Sequence, residues 1–249
     1  MINVVIPIAG EGSRFARVGF KLPKPFIDVE GAPMVSRVLE NIALKDARYL
    51  LVCRAEHLNA EYAPYRRRIE KEFDCSFLPI DKPTEGAACT ILHARKFIDN
   101  DTPLLLANSD QIVDIDIGRF CGDCQKRGLD GSIMTFPDPT RHPKWSYART
   151  DVDGLVSEVR EKQPISENAT VGIYYFTKGK DFVAGAIDMI VHNDRTNNEF
   201  YTCPVYNYVI QEGRKIGVFE IAADAMHGLG TPEDLAIYLA ARGAVPRKD

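Results

Sequence analysis

Two glycines, two cations and a carboxylate stand at spacings that suit phosphate chemistry. The stretch Ile6-Pro7-Ile8-Ala9-Gly10-Glu11-Gly12-Ser13-Arg14-Phe15 is followed by Leu22-Pro23-Lys24-Pro25-Phe26. A loop containing Gly10 and Gly12 can turn backbone N–H groups toward one small anion, because glycine reaches conformations closed to other residues. Arg14 and Lys24, ten residues apart, add fixed positive charge where a triphosphate would lie. The chemistry this suggests is attack on a nucleotide's α-phosphate with pyrophosphate leaving. Two better-known loops are excluded. A dinucleotide fingerprint needs a third glycine three residues after the second, and that position is Phe15. A Walker A loop needs Gly-Lys-Ser/Thr, which is absent. The plainer reading is a strand-to-helix turn with two surface cations. The two flanking prolines, together with Arg14 and Lys24, count against it.

Asn108-Ser109-Asp110 follows the apolar run ending at Ala107. A carboxylate at the tip of a buried parallel strand is well placed for a divalent cation, although an Asp capping the next turn would read the same way. Lys82-Pro83-Thr84-Glu85-Gly86-Ala87-Ala88 combines a turn with small residues. A planar base could approach its backbone, or Thr84 could N-cap a helix. Further along come Val159-Arg160-Glu161-Lys162, then Val171-Gly172-Ile173-Tyr174, then Asn198-Glu199-Phe200-Tyr201.

In that order, from G-x-G-S-R and P-K-P onward, these pieces resemble the sugar nucleotidyltransferases, the nucleoside-diphosphate-sugar pyrophosphorylases and related small-molecule cytidylyltransferases. The resemblance covers about residues 1–240. It implies a nucleotide site at Ala9, Gly10, Gly12, Ser13, Glu85, Gly86 and Ala87, and catalytic cations at Arg14, Lys24 and Lys162. It implies Mg²⁺ on Asp110 and an acceptor site at Asn108, Glu161, Lys162, Gly172 and Glu199. By the same resemblance the partners are an NTP, with CTP, UTP or dTTP favoured over GTP and ATP, and a small phosphorylated acceptor. The acceptor would be a sugar 1-phosphate, or a phosphorylated alcohol or amino acid. Precursors for capsule or lipopolysaccharide follow by family association alone. No general base is needed, since the acceptor is already an ionised phosphate. The pattern breaks in one place. Gly228 of Met226-His227-Gly228-Leu229-Gly230-Thr231 stands where relatives carry a second metal Asp, and His227, Asp224 or Glu199 are the candidates to replace it.

The elements that must position these residues alternate in the first half. Strands are expected at 2–8, 49–54, 76–80 and 103–107, and helices at 33–45, 56–73 and 86–97. That order predicts a three-layer α/β/α, Rossmann-like fold with a mostly parallel central sheet, and ligands at the carboxyl ends of its strands. The second half reads as short strands at 131–136, 146–151, 155–160 and 171–177 with an Asp153-Gly154 turn, forming a small antiparallel acceptor-binding part. Helices at 180–192, 203–212 and 232–243 and a strand at 216–221 complete it. One domain, 1–249, is expected, with a nucleotide-binding half (1–120) and an acceptor-binding half (121–249). Loop 11–22 is a candidate to close over substrate.

Composition narrows the class. The 249 residues are 45% apolar, ample for a core, and no apolar run approaches the ~20 residues that span a membrane. The N-terminal residues carry no basic leader, so a cytoplasmic location and no membrane partner are expected. A net charge of −4 argues against nucleic acid. The run Arg66-Arg67-Arg68 reads as a solvated helix face paired to Glu70 and Glu72. Cys121 and Cys124 form a lone C-x-x-C on a helix face, without the second pair that zinc needs. Oligomeric state is open, a homo-oligomer included. Two rivals stand beside the transferase. One is a nucleotide-sugar glycosyltransferase using Asp114-Ile115-Asp116, and the other is a non-catalytic nucleotide-binding protein.

Overall fold

The computed structural model describes residues 1–248. Its main sheet has nine strands. Seven lie in the order Val156–Glu161, Ser146–Thr150, Asn168–Phe176, Leu104–Ala107, Ile2–Pro7, Ala47–Arg54, Cys75–Ile80. Gly131–Pro137 also pairs with Asn168–Phe176, and Ile216–Glu220 pairs with Gly131–Pro137. The four strands from the first half are parallel to one another. Asn168–Phe176 runs antiparallel to Leu104–Ala107, and the sheet reverses there.

Ile2–Pro7 is buried on both faces, as the β-branched run Ile-Asn-Val-Val-Ile requires. Its side chains alternate between layers. Val4 and Ile6 pack with Val35, Val38 and Leu39 of the helix Met34–Asn41 and with Phe120 of Ile117–Lys126. Val5 packs with Ala88, Ile91, Phe182 and Val205 on the opposite face. Leu105 and Ala107 join the first layer, and Leu104 and Leu106 the second. Period-2 alternation thus splits the core into the two helix-covered layers of an α/β/α fold.

Several boundaries differ from expectation, each for a local reason. The expected 56–73 helix is two 3₁₀ turns, Ala55–Leu58 and Ala60–Tyr62, followed by Ala63–Glu72 with Pro64 in its first turn. Proline is tolerated there and not in a helix interior. The expected 86–97 helix divides into Ala87–Leu92 and Arg95–Ile98. Its N-cap is Gly86 at φ +132°, and Thr84 instead donates its hydroxyl to the Gly86 carbonyl. Arg68 does pair with Glu72 at 3.0 Å, whereas Arg66 donates to the Leu58 carbonyl at 2.9 Å in place of Glu70. Thr231 caps Pro232–Ala240 through the Asp234 N–H.

Two short pairings escaped the sequence. Gln111–Val113 pairs with Met226–Gly228, and Asn41 clamps it by donating to the Val113 carbonyl and accepting from its N–H. Asp28–Val29 pairs with Ala32–Pro33. All six cysteines are free. Burial pushes the Cys53 thiol up to about 11 and those of Cys75, Cys121 and Cys124 up to about 12, and it raises Cys89 and Cys203 as well.

Candidate active site

The strand neighbours of Ile2–Pro7 are Ala47–Arg54 on one side and Leu104–Ala107 on the other. Connections leaving to opposite sides open a crevice at the carboxyl ends of the strands. A cleft of about 640 Å³ lies there. Ala9, Gly10, Gly12, Ser13 and Arg14 form one wall, Lys24 and Pro25 the next, and Gly86 and Ala87 a third, with Asn108 and Asp110 at the base.

Gly12 takes the left-handed conformation, at φ +64°, and caps the short helix Ser13–Arg17. A Cβ at Gly12 would lie 3.1 Å from the Lys24 Cβ, so the glycine lets Lys24 pass close to the loop. Gly10 is not in the left-handed region, which corrects its expected role, and what it contributes is open space above the loop. Phe15 and Phe20 are buried and meet edge to face at 5.2 Å. They anchor loop 11–22 to a third apolar cluster that includes Ile112, Leu229 and Leu235.

The Lys24 ammonium donates to Asp110 Oδ2. Asp110 is further held through its carbonyl, which accepts from the Leu229 N–H at 2.7 Å. A Cβ on Gly230 would lie 2.8 Å from Asp110 Oδ2, so glycine there gives the carboxylate room in its present position. A carboxylate that already holds a cationic stand-in beside a glycine cradle suits a hard divalent cation. Among the described residues, no group of three or more His, Cys, Asp or Glu side chains is placed to hold a metal. Other ligands would have to come from water and phosphate.

A second chamber of about 650 Å³ continues from the cleft. The two share Arg14, Ala87, Asn108, Asp110, Glu199 and Gly230 as a common wall. Glu161, Lys162 and Gly172 line the far side. Gly172, at φ +91°, is required: a Cβ there would lie 2.3 Å from Asn108 Nδ2 and 2.4 Å from Gln111 Oε1. Its carbonyl accepts from the Asn108 N–H at 3.0 Å, so the two strands at the sheet reversal are bolted together beside Asp110. Glu161 is buried, and the Ser146 hydroxyl donates to its Oε2. Burial pushes its carboxyl up, against the opposing pull of Ser146 and Lys162. Lys162 takes a left-handed backbone, φ +56°, and its ammonium donates to the Tyr201 hydroxyl at 2.6 Å.

Glu85 is the expected residue that the structure keeps out of both cavities. Its carboxylate pairs with Arg195 at 2.8 Å, and only its carbonyl is engaged nearby, by the Phe200 N–H. The acids of 114–116 serve the scaffold. Asp114 pairs with His227 at 2.7 Å, and Asp116 caps Ile117–Lys126 through the Gly118 N–H. His227 is therefore committed elsewhere, and Asp224 is exposed on a 3₁₀ turn. Of the expected replacements at Gly228, Glu199 alone lines the cavities. Asp234, which no motif singled out, also lines the chamber. A Cβ on Gly228 would lie 3.5 Å from its Cγ. Helical side chains lean toward the N-terminus, and that tilt was the available signal.

A polar cleft at the switch point of a parallel sheet, with cations on both walls and a carboxylate between them, defines an α/β enzyme that handles phosphorylated ligands. The chain belongs to the nucleotidyl transferase family, which it matches over residues 3–214. Among solved structures it resembles a nucleoside-diphosphate-sugar pyrophosphorylase from Vibrio cholerae RC9, with a TM-score of 0.79 and 23% identity over 95% of this chain and 99% of that one. It also resembles the inositol-1-phosphate CTP transferase from T. maritima, with a TM-score of 0.72 and 11% identity over 93% and 90% of the two chains. At these identities the likeness speaks to the fold. Among curated relatives it is 26% identical to the bifunctional protein GlmU of Methanococcus aeolicus, over 70% of this chain and 40% of that protein. It is 23% identical to a mannose-1-phosphate guanyltransferase of Pichia angusta, over 95% and 64% respectively. The chain thus spans only part of the length of these curated relatives.

Proposed function

We propose that the chain transfers a nucleoside monophosphate from an NTP to a small phosphorylated acceptor and releases pyrophosphate. The observation that carries this reading is the common wall. A cleft with a glycine loop and Lys24 meets a chamber ending in Lys162, and Arg14 and Asp110 stand at the junction, where the Lys24 ammonium donates to Asp110. Two phosphorylated ligands seated in the two cavities would bring their phosphates together at that junction.

The acceptor's phosphate oxygen attacks the α-phosphorus, and the bond to the bridging oxygen breaks as pyrophosphate leaves. Lys162 holds the nucleophile, Lys24 neutralises the α-phosphate, and Arg14 with the loop N–H groups holds the departing pyrophosphate. A divalent cation, which we take to be Mg²⁺, would rest on Asp110 and supply further neutralisation there. The small residues Gly86 and Ala87 support a pyrimidine nucleotide. A role in precursors for capsule or lipopolysaccharide rests on family association alone. A cytoplasmic location would suit an NTP substrate, and no helix among the described residues is long and apolar enough to cross a membrane.

The test is pyrophosphate release from the purified chain with Mg²⁺, each of CTP, UTP, dTTP, GTP and ATP, and a panel of phosphorylated sugars and small alcohols. Release with one pair is expected, reduced by about 10²–10³ in Lys24→Ala and in Asp110→Ala, the scale of losing one transition-state contact. Release that survives both substitutions would overturn the assignment.

A further inference from the structure

We infer that Tyr201 is a positioning residue: it aims the Lys162 ammonium into the acceptor chamber, and through Phe200 it ties that aim to the 85–88 turn. The inference rests on the acceptor-binding reading of Lys162.

Lysine carries a flexible four-carbon stem, so an ammonium meant for one phosphate oxygen needs a second group to hold it. Tyr201 does so through its hydroxyl, which accepts from Lys162 Nζ at 2.6 Å and leaves the ring edge beside the same nitrogen, 4.6 Å from the centroid. Both residues line the chamber. The lysine's backbone is held independently, since its N–H donates to the Trp145 carbonyl at 3.0 Å. With the base of the side chain fixed and its tip tethered, the ammonium has one direction. Burial also pushes the Tyr201 phenol up. It therefore stays protonated, and because its oxygen accepts from Lys162, its own O–H remains to donate.

The segment carrying Tyr201 is itself clamped. Thr196 and Glu199 exchange backbone bonds, N–H to carbonyl in both directions, at 3.0 and 2.9 Å. Phe200 donates to the Glu85 carbonyl at 2.7 Å and accepts from the Ala88 N–H at 3.0 Å. A Cβ on Gly86 would lie 2.4 Å from the Phe200 carbonyl oxygen, so the two backbones touch. Adjacent residues of one short segment thus grip the turn that lines the cleft and the lysine that lines the chamber.

Two measurements test this. First, the full chain carrying ε-¹³C lysine is examined by NMR, with the Lys162 signal identified by its loss in Lys162→Arg. That signal should move in Tyr201→Phe, which keeps the ring, and further in Tyr201→Leu. A Lys162 signal indifferent to both variants would overturn the inference without any substrate. Second, kinetics are run with the substrate pair found in the panel. Tyr201→Phe should raise the acceptor KM about tenfold and leave the NTP KM within twofold. It should have no further effect in a Lys162→Ala background. Equal effects in both backgrounds would show that Tyr201 acts independently of Lys162 and would overturn the inference. If Lys162→Ala itself matched the wild type, the acceptor-binding reading would fall, and this inference with it.

Discussion

Glu161 carries a carboxylate where water barely reaches, and that has a cost. Burial pushes its carboxyl up, so the folded chain holds the proton more tightly than the unfolded chain does. For such an acid the ionised form subtracts from stability above the ordinary glutamate value of about 4.3, and the subtraction disappears as pH falls below it. Glu161→Gln is therefore expected to raise the melting temperature at pH 7, with little change near pH 4, while weakening acceptor use. Thermal melts at the two pH values decide it, and a lower melting temperature at pH 7 would refute the account. At this scale Lys24 and Asp110 could be singled out from a strand end and a proline-flanked turn, and Lys162 only through the family resemblance; the structure adds that all three line the two cavities. Tyr201 was not legible as a partner of Lys162, since 39 residues separate the two and only the fold joins them. Glu85 misled for the same reason: its partner, Arg195, is 110 residues away.

Strands and loops are held beside the candidate site by a few close contacts. Gly172 belongs to the long strand that meets Leu104–Ala107 where the sheet reverses. Gly172→Ala combines a left-handed backbone with a clash on Asn108, so it should cost about 1–3 kcal/mol in urea unfolding and raise the acceptor KM. A KM unchanged after Asn108 is displaced would separate that residue from acceptor binding. The loop from Asp138 to Trp145 is tied by a different device. Burial alone would raise the Asp138 carboxyl. Donors from the Thr140 and Tyr147 hydroxyls and the His142 and Thr140 N–H groups prevail and hold it at about 2. That stabilisation is full above the unfolded value of about 3.9 and is lost as pH falls through the folded value. Asp138→Asn should cost on the order of 2 kcal/mol at pH 7, and the gap from wild type should close between pH 4 and pH 2. The long strands and most helices were readable from apolar periodicity. The three-residue pairing of Gln111–Val113 with Met226–Gly228 was not, because segments so short carry no period and owe their place to Asn41.

Across the whole molecule, one sheet runs through both halves of the sequence. Leu104–Ala107 is bonded to Ile2–Pro7 on one edge and to Asn168–Phe176 on the other. Halves that share a sheet should lose structure together. Urea unfolding followed by far-UV and near-UV circular dichroism should give coincident transitions, and two separated midpoints would make the halves independent domains. The parallel half could be inferred from sequence because its strands are continuous apolar runs between helices. In the antiparallel half, Gly131–Pro137 takes a parallel partner, Ile216–Glu220, from 85 residues onward, a pairing that no local pattern announces.

The six thiols have a practical consequence. Only thiolates attack electrophiles, and burial keeps these six protonated near neutral pH. A cysteine introduced at Val152, a fully exposed position, would be the fast-reacting one. A maleimide dye should therefore label Val152→Cys selectively, with every native cysteine left in place.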